Sequence, residues 1–173
     1  MSKKIGKHTD FRKKLAKIKI VLTDVDGCLT DGGMYYTENG LTMKKYNVKD
    51  GMGAVLLKSS GYITGLISSD ASMIGKIRGE KLQFNYTVIG TYEKLAAAKK
   101  ICEEQNCTLE AVAFMGDDVN DLELLKEVGV SAAPRDAVEE VKKAAMYVCK
   151  RRGGKGAYRE FVDMILASTR KEK

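Results

Sequence analysis

The chain has 173 residues, 44% hydrophobic and 31% charged, with one proline and four cysteines. That length fits one domain with a sizeable core, and no apolar run approaches the ~20 residues that a membrane span needs. The formal net charge of +7 sits at the ends: residues 1–20 and 150–173 hold 16 of the 30 Lys and Arg but only 4 of the 23 Asp and Glu. The body between them is acidic, and no aromatic residues interleave with the basic ones, so nucleic-acid binding is not expected. Cys28, Cys102, Cys107 and Cys149 form no C-x-x-C pair, and the basic N-terminus lacks the apolar core of a secretory signal. A soluble protein of a reduced cytoplasm, with free thiols and no membrane contact, is the expectation.

In chain order, residues 1–9 read as disordered and Phe11–Lys17 as a short basic helix, together a basic N-terminal arm over 1–17. A single domain is expected over 18–168, with a tail at 169–173. Its first strand, from Ile18, is apolar on both faces and stops at Asp24-Val25-Asp26-Gly27. Such a strand belongs inside a parallel sheet. Thr30-Asp31-Gly32-Gly33 is a turn cluster. Met34–Thr37 and Leu41–Tyr46 flank Glu38-Asn39-Gly40, and Asn-Gly between two strand-like runs signals a hairpin. It would project as a flap over the carboxyl end of the first strand.

Asp50 is placed to cap a helix from Gly51 to Ser60, with Met52, Val55, Leu56 and Leu57 at helical spacing and Gly61 ending it. A strand at Tyr62–Ile67 ends in Ser68-Ser69-Asp70, and a helix spans Ser72–Leu82. A strand at Tyr86–Ile89 precedes a long helix capped by Thr91, with Glu93-Lys94 in its first turn. The apolar strand Ala111–Met115 ends in Gly116-Asp117-Asp118-Val119-Asn120-Asp121. A helix to Glu127, a strand at Val128–Ala132, a helix at Ala137–Ala144, a strand at Met146–Cys149 and a helix at Ala157–Ala167 follow. Strand and helix alternate, which predicts an α/β fold: a Rossmann-like parallel sheet with helices on both faces and a hairpin flap after the first strand.

In a parallel sheet all the strand ends named above lie on one edge, where ligands bind. Asp24, Asp26, Ser68, Asp117 and Lys94 would meet there. Taken singly, Lys94 reads as an exposed helix residue, Ser68 as a turn residue, and Asp117-Asp118 as a helix cap. Together, clustered carboxylates with one lysine and one hydroxyl suit a hard divalent cation, Mg²⁺, and a phosphate. The arrangement predicts phosphoryl transfer to Asp24, with Lys94 neutralising the phosphate and Ser68 holding its oxygens. Asp26 would protonate the leaving alcohol and then deprotonate the water that cleaves the aspartyl-phosphate.

Asp24-Val25-Asp26-Gly27, Ser68, Lys94 and Gly116–Asp121 resemble the four motifs of the haloacid dehalogenase superfamily, over nearly the whole chain beyond residue 17. Thr30-Asp31-Gly32, the hairpin, Tyr46–Gly51 and Gly153-Gly154-Lys155-Gly156-Ala157 resemble its capless branch of 3-deoxy-octulosonate 8-phosphate and nonulosonate 9-phosphate phosphatases. The resemblance implies an Mg²⁺-dependent phosphatase acting on an eight- or nine-carbon sugar-acid phosphate. It implies a metal site of Asp24, Asp26 (through its backbone carbonyl) and Asp117, with Asp118 and Asp121 as supporting acids. Asn47, Lys49, Asp50, Gly51 and Arg78 fall at substrate-contacting positions, and a homotetramer whose hairpins pack together is expected. Where octulosonate phosphatases carry Thr-Gly-Arg, this chain has Ser68-Ser69-Asp70. Asp70 either inverts the charge facing the substrate, which favours a nine-carbon substrate, or caps the next helix. The alternative to an enzyme is an oligomerisation or regulatory module, like the C-terminal domain of sialic acid cytidylyltransferases.

Overall fold

The first strand, β1 (Ile20–Thr23), is buried along its whole length because its alternate side chains serve two cores. Val21 packs with Leu57, Phe161 and Ile165 on one face of the sheet, and Ile20 and Leu22 pack with Ile101, Phe114 and Leu124 on the other. This is the period-2 geometry of a strand covered on both sides. The structure is a computed structural model describing residues 11–169. The expectations for residues 1–9 and for 170–173 of the expected tail lie outside them, and Thr169 closes the last helix.

After β1 come the hairpin strands β2 (Thr30–Thr37) and β3 (Gly40–Tyr46), then α1 (Val48–Ser59), β4 (Ile63–Ile67), α2 (Met73–Leu82) and β5 (Tyr86–Val88). The second half runs α3 (Lys94–Glu104), β6 (Val112–Met115), α4 (Leu122–Glu127), β7 (Val130–Ala133), α5 (Glu139–Ala144), β8 (Tyr147–Val148) and α6 (Ala157–Thr169). Six strands form one parallel sheet in the order β5-β4-β1-β6-β7-β8, and β2-β3 form a separate antiparallel pair. The α/β fold is therefore the one expected, and no cap domain is present among the described residues. Chain direction across the sheet reverses between β1 and β6, so the crevice of such a fold opens at their carboxyl ends.

Several local expectations are corrected. Thr37 pairs with Gly40, so Glu38-Asn39 make the two-residue turn and Gly40 opens β3. The cap of α1 is Asn47, whose side chain accepts from the Lys49 N–H at 2.8 Å. Asp50 lies inside that helix, buried, and its carboxylate accepts from the backbone N–H groups of Gly156 at 3.0 Å and Arg159 at 2.9 Å. It thus caps α6, a helix 106 residues further along. A negative charge is stabilised there by the unpaired N–H groups of the first turn. The face of α1 that packs on α6 is made of Gly53, Ala54 and Leu57, while Met52 and Val55 are exposed. Thr91 does not cap α3: its hydroxyl accepts from the Glu93 N–H, and the helix opens at Lys94.

Asp50→Ala should cost about 1–3 kcal/mol, the range for leaving buried backbone donors without a partner. Urea denaturation measures it. An unchanged midpoint and slope would show that α6 holds its position without this carboxylate.

Candidate active site

Asp24 follows the last residue of β1, and its N–H continues the ladder by donating to the Met115 carbonyl of β6 at 2.8 Å. The chain then turns back on itself, with the Leu29 and Thr30 N–H groups both bonding the Val25 carbonyl. Gly27 makes this turn at φ +79°, and a Cβ there would fall 1.9 Å from Asp117 Oδ2. Only glycine satisfies both the left-handed backbone and that approach. Thr30, buried, ties the loop together: its hydroxyl accepts from the Gly27 and Gly32 N–H groups and lies 3.4 Å from Asp26 Oδ1.

Behind the turn, Gly153 and Gly154 approach so closely that a Cβ on Gly153 would sit 1.6 Å from the Gly27 carbonyl oxygen. The Gly154 N–H donates to the Cys28 carbonyl at 3.0 Å, and the Asn47 amide donates to the Gly154 carbonyl at 3.1 Å. The C-terminal glycine-rich loop is therefore a backing plate for the β1 turn.

Lys94, at the start of α3, is 2% exposed despite its charge. Its ammonium lies 2.9 Å from Asp24 Oδ1 and 2.6 Å from Asp121 Oδ1. Burial pulls its pKa down, but the two carboxylates outweigh this and hold it above the ordinary lysine value. The second oxygen of Asp121 accepts from the backbone N–H groups of Asp117 at 2.8 Å and Asp118 at 3.3 Å. Asp118 is exposed and accepts from the Val119 N–H at 2.7 Å, closing a capping box with Asp121.

Carboxylate oxygens of Asp24, Asp117 and Asp121 lie within 4.8 Å of one another. Both oxygens of Asp121 are engaged, so Asp24 and Asp117 are the carboxylates with capacity for a cation. Burial, then the charge of Asp121, pushes Asp24 up to about 7. Burial, then the charge of Asp24, pushes Asp117 up to about 8. Burial and mutual repulsion thus disfavour the charged forms of both carboxylates. The donor set, all oxygen and partly buried, fits a hard divalent cation. Asp26 adds no carboxylate to this group, because its side chain turns to Lys44; its backbone carbonyl is the atom left to it.

Lys44 was not singled out in the sequence, and Cys28 was read there only as a free thiol. Lys44, on β3, has its side chain fully buried and lies 2.6 Å from both Asp26 Oδ2 and Asp70 Oδ2. Cys28 is buried, and its thiol donates to Asp117 Oδ1 at 3.7 Å. Burial, then the charges of Asp117 and Asp24, keeps it protonated.

Asp24, Asp26, Ser68, Asp70, Asp117 and Asp118 line one cleft of about 440 Å³, and Met34 of the hairpin forms part of its rim. The substrate-contacting expectations fare differently. Asn47 and Asp50 spend their side chains on the α1 cap, Gly154 and α6. Lys49 is exposed away from the lining, and Gly51 is buried with Arg78 packed over it. Arg78 stacks on Tyr46 at 5.0 Å rather than lining the cleft. Asp70 does not cap α2, whose N-cap position is Ser72: the Ser72 hydroxyl donates to Asp70, which also binds Lys44. The carboxylate expected to invert the charge at position 70 thus shares one hairpin lysine with Asp26.

Residues 74–160 match the family model for haloacid dehalogenase-like hydrolases. The chain is 38% identical over 156 residues to the 3-deoxy-D-manno-octulosonate 8-phosphate phosphatase of Haemophilus influenzae, covering 90% of this chain and 87% of that one. A cobalt-bound structure of the Haemophilus influenzae phosphatase superposes with a TM-score of 0.87 at 39% identity, over 90% of this chain and 91% of that one. The Moraxella catarrhalis phosphatase, in complex with a magnesium ion, a phosphate ion and a KDO molecule, gives 0.89 at 31% identity, with 92% of each chain covered. The chain thus belongs to the haloacid dehalogenase-like hydrolase family, in its capless branch, and is an enzyme of the phosphoric monoester hydrolase class.

Proposed function

We propose that the enzyme hydrolyses the phosphate monoester of an eight-carbon 3-deoxy sugar acid through an aspartyl-phosphate on Asp24. The observation that carries this reading is Asp24 itself: a carboxylate 5% exposed at the switch point of the sheet, oriented through one oxygen by Lys94 and faced by Asp117. Asp24 and Asp117 would hold a divalent cation, Mg²⁺, whose charge supplies electrostatic neutralisation of the phosphoryl oxygens. Lys94 stays cationic beside Asp24 and adds a second positive charge. Asp24 attacks phosphorus, and the bond to the sugar oxygen breaks with its electron pair on that oxygen. Asp26 supplies the proton and later removes one from the attacking water. Ser68, 3% exposed on the cleft wall, is placed to meet a phosphate oxygen.

Eight carbons are favoured because the relatives are octulosonate 8-phosphate phosphatases by name, one of them in complex with KDO. A non-catalytic module has less support, since Asp24, Asp26, Lys94 and Asp117 are all retained around one cleft. Four free cysteines agree with a reduced cytoplasm, and no described helix is long and apolar enough to cross a membrane. A homotetramer joined through the hairpins is proposed from the exposed Met34, Tyr35, Tyr36 and Met43 on β2 and β3. Burying such a patch is favourable.

Phosphate release should be measured with eight- and nine-carbon ulosonate phosphates, with and without Mg²⁺. The expected result is metal-dependent turnover with the eight-carbon ester preferred and none in Asp24→Asn. Activity retained by that variant excludes the covalent route.

Without a cation, Asp24 and Asp117 bind protons more tightly when folded than their ordinary value of 3.8 allows when unfolded. Their contribution to stability is thus complete below about pH 4 and is lost as pH rises through about 7 to 8. The melting-temperature gain on adding Mg²⁺ is expected to be small at pH 5 and larger at pH 8. Equal gains at both would mean that these two groups do not hold the ion.

Light scattering should give four times the chain mass, falling to a smaller species in the double variant Tyr36→Lys, Met43→Lys. A wild-type monomer would remove the tetramer.

A further inference from the structure

On β3, Met43 and Lys45 point to solvent, and Lys44 between them points inward. A lysine at the inward position of a strand is costly unless its charge is fully matched. Here its ammonium is 2.6 Å from Asp26 Oδ2 and 2.6 Å from Asp70 Oδ2. Asp26 is further held on its other oxygen by the Thr30 hydroxyl at 3.4 Å, and Asp70 by the Ser72 hydroxyl. With its side chain fully buried, Lys44 is out of reach of a ligand in the cleft. The lysine and its two partners bring together three separate pieces of chain: the hairpin, the β1 turn and the loop after β4.

We propose that Lys44 is a positioning residue for leaving-group protonation: it fixes the carboxylate of Asp26 toward the departing oxygen, with Asp70 as its outer anchor. This rests on the function proposed above and deepens it. In the first displacement the Asp24–phosphorus bond forms, the phosphorus–oxygen bond to the alcohol breaks, and the alcohol oxygen takes its proton from Asp26. A misplaced Asp26 hinders that step in proportion to how badly the leaving oxygen needs the proton. A sugar alkoxide needs it, whereas a nitrophenolate departs without it.

The test compares kcat/KM for 3-deoxy-D-manno-octulosonate 8-phosphate and for p-nitrophenyl phosphate, because kcat/KM reports steps only up to the first irreversible one. Lys44→Met should lower the value for the sugar ester by about 10²-fold, the lower end of what general acid catalysis contributes, and for the nitrophenyl ester by no more than about threefold. Asp70→Asn leaves Lys44 in place but removes its anchor. It should show the same asymmetry at about tenfold on the sugar ester, and it carries the test if Lys44→Met fails to fold. Equal losses on the two esters in either folded variant overturn the positioning role while leaving the phosphatase intact. Wild-type protein that hydrolyses neither ester overturns the function and this role together.

Discussion

The structure turns on the confinement of negative charge at the mouth of a parallel sheet. Asp24, Asp26, Asp70, Asp117 and Asp121 stand around one crevice, and Lys44 and Lys94 are the buried cations set among them. Each lysine is shared between two carboxylates, so neither is a simple ion pair. Removing a partner from such a buried cluster strands a charge, which is far more costly than any gain from making one pair. The excess of acids over lysines is what makes a cation welcome and, through it, a phosphate dianion.

The two lysines divide the work. Lys94 comes from the main domain at the start of α3 and orients the carboxylate proposed to attack. Lys44 comes from the hairpin, which is not part of the main sheet, and holds the carboxylate proposed to move protons. The flap is thus wired to the chemistry by a charge, with Met34 adding part of the cleft rim. The acidic residue at position 70 makes sense in that setting: it lines the cleft and serves there as the second ligand of a lysine.

What could be read in the sequence was what short-range pattern encodes. A β-branched apolar run ending in two acids, an apolar run ending in Gly-Asp-Asp and the alternation of strand and helix gave the sheet, the edge and its acids. Features that the sequence hid have partners distant along the chain. Asp50 looked like a helix cap and is one, but for α6 rather than for its own helix. Lys44 sits amid Met43 and Lys45 in a strand that reads as exposed, and its two carboxylates come from other loops. Asn47 and Arg78 were assigned by resemblance to substrate contacts. Their observed partners, Gly154 and Tyr46, become visible only once helices and loops are packed.

The glycine-rich loop behind the β1 turn has a further consequence, for the order in which the molecule is built. The turn that carries Asp24 and Asp26 is made early, but the loop that backs it is translated after all six sheet strands. Contacts between such distant stretches close late, because long-range loop closure is slow. A growing polypeptide therefore has its first two acids in hand well before the glycines that brace them.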